Sequence, residues 1–270
     1  MINRIPSFYI IFLILIISTI LICIIKCRTS IEKFMLYERS SLYEKVIVST
    51  IKDKSKIPSY INENRQQYAP NYNHIFFDDN DCISFLEKHY KQKYTDAFKN
   101  MKSGAHKADL FRYAYLYKMG GLYVDVKTLF YKNVNLIIKN KSICYMVKTI
   151  LKESGKYNIY NGIIYTPPKN EMILNLLNHS VNYKDEYDKY NFNLDFAYNL
   201  LNKITMDKGL PQGKNKSSIS NMLDLYILEE RFSTNCNKSD RYNICNYIYD
   251  VMDEPIIQVR DFNYIPNYEV

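Results

Sequence analysis

A mixed α/β fold behind a single amino-terminal transmembrane helix is what the sequence predicts. Three observations predict it. Ser7–Ile25, SFYIIFLILIISTILICII, is nineteen residues without a charge. After it, short β-branched or aromatic runs alternate with segments of helical period. Of the 270 residues, about 240 remain after the apolar run, enough for one core of α/β size.

The apolar run would span about 28 Å as a helix, close to the hydrocarbon thickness of about 30 Å. A buried core helix of that length would show a polar face, and this one has none. A cleavable signal has a shorter apolar centre and small residues at the cut site. Here Cys23, Lys26, Cys27 and Arg28 close the run, so an uncleaved anchor is expected over 1–28. Residues 29–54 read as a stalk and first elements, and 55–270 as the folded domain. Arg4 against Lys26, Arg28 and Lys33 favours a cytosolic domain. Sequons at Asn140, Asn178, Asn215 and Asn237 favour a lumenal one, although about three arise by chance in so Asn-rich a chain. A single-pass membrane protein is expected, with its orientation open.

Val46–Ile51 and His74–Phe77 have strand character, and Asp78-Asp79-Asn80-Asp81 leads into a helix to His89. His106–Met119 has the strongest helical period, with Leu110, Tyr113, Ala114 and Tyr117, and Gly120-Gly121 stops it. Leu122–Val126, Ile143–Val147, Gly162–Thr166 and Ile256–Arg260 read as strands. Glu171–His179 and Phe192–Ile204 read as helices. No repeat and no long linker divides the folded part.

Apolar residues at 47% and charged residues at 24% are ordinary globular usage. The net charge of +8, from 36 basic and 28 acidic residues, is scattered, with no run of five like charges. That pattern fits a solvated basic surface and no nucleic-acid site. Cys82, Cys144, Cys236 and Cys245 permit disulfides in a lumen, with Cys236–Cys245 the pair to test. There is no C-x-x-C, and the four histidines show no zinc spacing. Phosphate-loop, dinucleotide, zinc-protease and serine-hydrolase motifs are absent.

Two acidic groups remain. For Asp78–Asp81, helix capping is simpler than metal binding, because short side chains there accept free backbone N–H groups. Asp109 and Arg112 share a helix face, which a surface ion pair would also explain. Asp125 follows three apolar residues at the end of a strand, where open α/β sheets bind ligands. A carboxylate there is costly unless paired or bound to a cation. With Lys127, the set holds two anions and two cations, which suits a sugar on a diphosphate.

The segment GAHKADLFRYAYLYKMGGLYVDVK resembles the signature of the DXD-containing sugar-binding glycosyltransferases (family 32 type): D-x-x-R-Y on a helix, G-G, an apolar–aromatic pair, then D-x-D. The likeness extends from Ile57-Pro58 through YAPNYNHIFFDDNDCISFLEKHY to YNGIIYTPPKNEMILNLL, about residues 55–180. It implies a GT-A-type, Rossmann-like mixed sheet flanked by helices. It further implies transfer of a hexose-type sugar from a GDP- or UDP-sugar to a glycan, lipid or protein acceptor, with retention. Such a hexosyltransferase, mannosyltransferase-like, would sit in an endomembrane of ER or Golgi type. The resemblance places Asp109 and Arg112 at the donor sugar and phosphate. It places Asp125 at ribose and at a Mn²⁺ or Mg²⁺ ion, with Asn161 as a lining residue. One position departs: Lys127 stands where the second aspartate belongs, and a charged lysine cannot ligate a cation. Either the metal is held without it, or its ammonium supplies the charge. The alternative reading is a non-catalytic glycan- or nucleotide-sugar-binding descendant of the fold.

Overall fold

The computed structural model describes residues 17–26, 28, 45–151, 154–182, 191–220, 222–233 and 245–259. The chain divides into two units, Met1–Leu42 and Tyr43–Val270. In the first, residues 17–26 form a helix, α1, with Ile17, Ile20, Leu21, Ile22, Ile24 and Ile25 all exposed. No helix among the described residues is long and apolar enough to cross a membrane. The first ten residues of the expected span, 7–16, lie outside the described set, as do the stalk residues 29–44 and Cys236.

The second unit carries one mixed sheet. Its strands are β1 (Val46–Thr50), β2 (Asn73–Phe77), β3 (Gly121–Val124), β4 (Leu129–Phe130), β5 (Cys144–Ile150), β6 (Tyr157–Thr166), β7 (Gly213–Asn215), β8 (Leu225–Ser233), β9 (Cys245–Tyr249) and β10 (Pro255–Gln258). The spatial order is β2-β1-β3-β6-β5-β8-β9-β10-β4, with β7 beside β8. β1 is parallel to both β2 and β3, and β5 is parallel to β8; the remaining pairs are antiparallel. The helices are α2 (Ser59–Tyr68), α3 (Asp79–His89), α4 (Gln92–Asn100), α5 (Gly104–Met119), α6 (Val134–Ile137), α7 (Glu171–Val181) and α8 (Phe192–Ile204).

Alternation along the strands builds two cores. Tyr123 of β3 and Cys144 and Met146 of β5 face a core filled from α3, α4, α5, α7 and α8. Leu122, Val124, Tyr145 and Val147 face the other, with Phe130, Val134, Ile137 and the β10 isoleucines.

β3 and β4 are separated by only four residues, Asp125–Thr128, yet lie six strand steps apart in the sheet. A flat sheet would put them about 29 Å apart. The connection can stretch about 18 Å at most. The sheet must therefore curl, bringing β10 and β4 back toward the end of β3. The turn carrying Asp125 and Lys127 sits where the curl closes.

Local signals set the elements around that turn. Asp78 caps α3 in a reciprocal box with Asp81, so the acidic run is a cap, with Lys54 and Lys107 as its counter-charges. Gly120 ends α5 at φ 71°, and a Cβ there would lie 2.7 Å from Pro168 Cδ. Gly120→Ala is expected to lower unfolding free energy by about 2 kcal/mol, from left-handed strain plus this clash. Urea denaturation measures it; an unchanged midpoint would refute the cap.

Candidate active site

The site forms where three elements meet. α5 places Asp109 and Arg112 one turn apart, β3 delivers Tyr123 and Asp125, and β6 brings Tyr160, Asn161 and Gly162. A register break in β6 makes this meeting possible. Tyr145 pairs with Tyr165 and Val147 with Tyr160, so two residues of advance on β5 face five on β6. Such a bulge breaks the alternation of faces and re-aims side chains. Tyr160 and Asn161 emerge there in different directions, the phenol to Asp125 and the amide to α5.

Arg112 is the hub. Its Nη1 donates to the Asn161 carbonyl at 2.6 Å and to Asn161 Oδ1 at 2.9 Å, and its Nε donates to the Ala108 carbonyl. Its Nη2 stands 3.4 Å from Asp109 Oδ1 and 3.5 Å from Asp125 Oδ1. The guanidinium also lies over the Tyr123 ring, 4.4 Å from the centroid. Burial opposes its charge, but Tyr123, Asp125 and Asp109 outweigh burial and hold its pKa above the ordinary value.

Asp109 and Arg112 are therefore a buried pair and not a surface one. Asp109 accepts from Asn161 Nδ2 at 2.8 Å and from Asn193 Nδ2, on α8, at 2.9 Å. Asn161 Nδ2 also donates to Tyr113 Oη at 3.0 Å, and Ser180 Oγ donates to Asn193 Oδ1 at 2.9 Å. Each acidic oxygen thus has a donor, as a buried charge requires.

Asp125 differs. It is the first residue after β3, its N–H donating to the Gly162 carbonyl at 2.8 Å, and its side chain is 22% exposed. Tyr123 donates to Oδ1 at 3.3 Å and Tyr160 to Oδ2 at 3.2 Å. Burial raises both phenols above their ordinary pKa, reinforced at Tyr160 by Asp125 and Glu230, so both remain neutral donors. Lys127 is partly exposed in the turn and makes no hydrogen bond or ion pair among the described residues.

Of the five expected site residues, Asp109, Arg112, Asp125 and Asn161 are joined by hydrogen bonds and ion pairs, while Lys127 stands two residues beyond Asp125 without a contact to them. Asp125 and Lys127 are the two partly exposed. Sequence reasoning missed Tyr123, Tyr160 and Asn193. A glycine inside the Tyr160-Asn161-Gly162 strand was a signal for close backbone approach. Asn193, 84 residues from its partner, carried no signal.

Residues 54–143 match the family model described as "Glycosyltransferase sugar-binding region containing DXD motif". Over that third of its length the chain is similar to the sugar-binding region of the DXD-containing glycosyltransferases. It is 28% identical over 141 residues to the initiation-specific alpha-1,6-mannosyltransferase of Candida albicans, covering 49% of this chain and 35% of that one. It is 25% identical over 157 residues to the mannosyl phosphorylinositol ceramide synthase SUR1 of Saccharomyces cerevisiae, covering 57% and 38%. The chain spans little more than a third of the length of these relatives. Among solved structures, the PaToxG glycosyltransferase aligns over 65% of this chain and 78% of its own, at 15% identity and a TM-score of 0.43.

Within this region lies Asp125-Val126-Lys127, the run expected from the sequence to stand at the DXD position. The described residues contain no group of three His, Cys, Asp or Glu side chains able to hold a metal. Lys127, as a charged ammonium, cannot itself ligate a cation.

A Cβ on Gly162 would lie 2.2 Å from Tyr160 Oη and 2.6 Å from Asp125 Oδ2. Gly162→Ala is therefore expected to keep the fold but push both groups from their places. Under the donor-binding role proposed below for Asp125, nucleotide-sugar affinity should fall about tenfold or more, by calorimetry, with little change in circular dichroism. Unchanged affinity would take Asp125 out of the site.

Proposed function

We propose that the chain is a membrane-anchored glycosyltransferase of GT-A type that moves a hexose from a nucleotide-sugar donor to a glycan, lipid or protein hydroxyl. The observation that carries this reading is Asp125, a partly exposed carboxylate fixed by Arg112, Tyr123 and Tyr160 at the mouth of the curled sheet. The mannosyltransferase relatives favour a mannose-type donor and an endomembrane location. The run Ser7–Ile25 is the proposed anchor, and the exposed isoleucines of α1 support it.

In the proposed reaction the bond from the anomeric carbon to the diphosphate breaks, and the nucleoside diphosphate leaves with the electron pair. The acceptor oxygen bonds to that carbon and its proton is released, with retained configuration. Asp125 accepts hydroxyl hydrogens of the donor and orients it. Asp109, Arg112 and Asn161 act from beneath, keeping Asp125 in one rotamer. Lys127, free of a partner among the described residues, places its ammonium at the leaving diphosphate, where developing negative charge is stabilised.

The test uses the full chain in detergent with UDP- and GDP-hexoses. One donor is expected to turn over, and Asp125→Asn should lower kcat at least about 100-fold with an unchanged unfolding midpoint. An Asp125→Asn enzyme of native activity refutes the assignment. Donor binding without turnover would leave the non-catalytic descendant. For Lys127, turnover should survive EDTA, and Lys127→Ala should cost about tenfold or more in kcat. Turnover abolished by EDTA and restored by Mn²⁺ would assign the charge to a cation at Asp125 instead.

A further inference from the structure

The least economical residue in the protein is Arg65 on α2. It is 1% exposed, and its guanidinium lies between the rings of Phe76 and Phe130, 5.8 and 5.7 Å from their centroids. No carboxylate pairs with it among the described residues, and its Nε and Nη1 have no hydrogen-bond partner there. Burial pulls its pKa down to about 10, which leaves it charged at neutral pH. A buried, half-satisfied cation costs far more than an apolar side chain in the same slot.

Its bonds say where that cost is offset. Nη2 donates to the backbone carbonyl of Asp125 at 3.4 Å and to Ser49 Oγ at 3.3 Å. Ser49 Oγ in turn donates to the carbonyl of Val124. Arg65 thus reaches the first carbonyl of the turn directly and the last carbonyl of β3 through a hydroxyl. The preceding residue, Asn64, holds the other side. Its Nδ2 donates to the Phe130 carbonyl and its Oδ1 accepts from the Phe130 N–H, both at 2.9 Å. Two adjacent side chains of α2 therefore grip the entry and exit of the loop Asp125–Thr128. Within it, the Thr128 N–H donates to the Asp125 carbonyl at 3.0 Å, the same oxygen that Arg65 holds.

We propose that Asn64 and Arg65 are positioning residues, clamping the turn so that Asp125 and Lys127 face the donor in one fixed arrangement. The proposal rests on the reading of Asp125 as the donor-binding carboxylate. It explains why the slot holds an arginine: a methionine would fill the space between Phe76 and Phe130 but could not hold two acceptors.

The experiment compares native chain, Arg65→Met, Asp125→Asn and the double variant, all full length. Amide exchange of the peptide spanning 124–130 gives a readout independent of activity. Arg65→Met should speed exchange there about tenfold or more while β5 and β6 stay protected. In donor affinity, Arg65→Met alone should lose about tenfold, and should cost little further in the Asp125→Asn background. Unchanged exchange at 124–130, or losses that multiply fully in the double variant, would overturn the clamp. If Arg65→Met does not fold, Arg65→Lys carries the same comparison, since it keeps the charge but loses the fork. If the native chain binds no nucleotide sugar, the functional reading fails by itself. The exchange at the turn still decides the clamp.

Discussion

The contact on which the arrangement depends is the buried Arg112 guanidinium held between two carboxylates and the backbone of β6. A charge in the interior is costly unless opposing charges or acceptors meet it. Asp109 meets it from its own helix, Asp125 from the end of β3, and the Asn161 carbonyl and side chain from β6. Three elements distant in sequence are thereby locked at one point. Two carboxylates against one guanidinium leave a local excess of negative charge. Neutral donors from Asn161, Asn193, Tyr123 and Tyr160 absorb it, and the carboxylate left nearest solvent is Asp125.

Two irregularities deliver that carboxylate to a usable place. Beside the bulge in β6, the adjacent Tyr160 and Asn161 point to opposite sides, so one strand supports Asp125 from one side and Arg112 from the other. The curl of the sheet brings β4 and β10 around to the end of β3. Gly162 belongs to the same solution, because Tyr160 and Asp125 occupy the space a larger side chain would need. Lys127, two residues on from Asp125, is partly exposed and makes no ion pair among the described residues.

Much of the fold was legible because its signals are local. The helix ended by Gly120, the strand after it and the capped acidic run at Asp78 are all written in spacings of a few residues. The strand after Gly120 ends at Val124, two residues early, because Asp125 turns away to meet Arg112. β8 was not legible. It was not among the strands read from the sequence, and its Glu229 and Glu230 are met by Lys148 and Asn246 on the flanking strands. α2 was missed too, since SYINENRQQY has almost no apolar face and its Arg65 is buried against expectation.

By itself, the sequence singled out the residues proposed to carry the chemistry. The D-x-x-R-Y helix, the double glycine and the aspartate at the strand end lie within about two turns and one strand of each other, where covalent spacing decides proximity. Tertiary structure alone decided what each residue touches. It made Asp109 and Arg112 an interior support, left Asp125 and Lys127 facing outward, and set Asn193 and Arg65 beneath them. The reason is physical: burial and hydrogen-bond partners are properties of packed neighbours. Here the neighbours come from positions 49 to 84 residues apart in the chain.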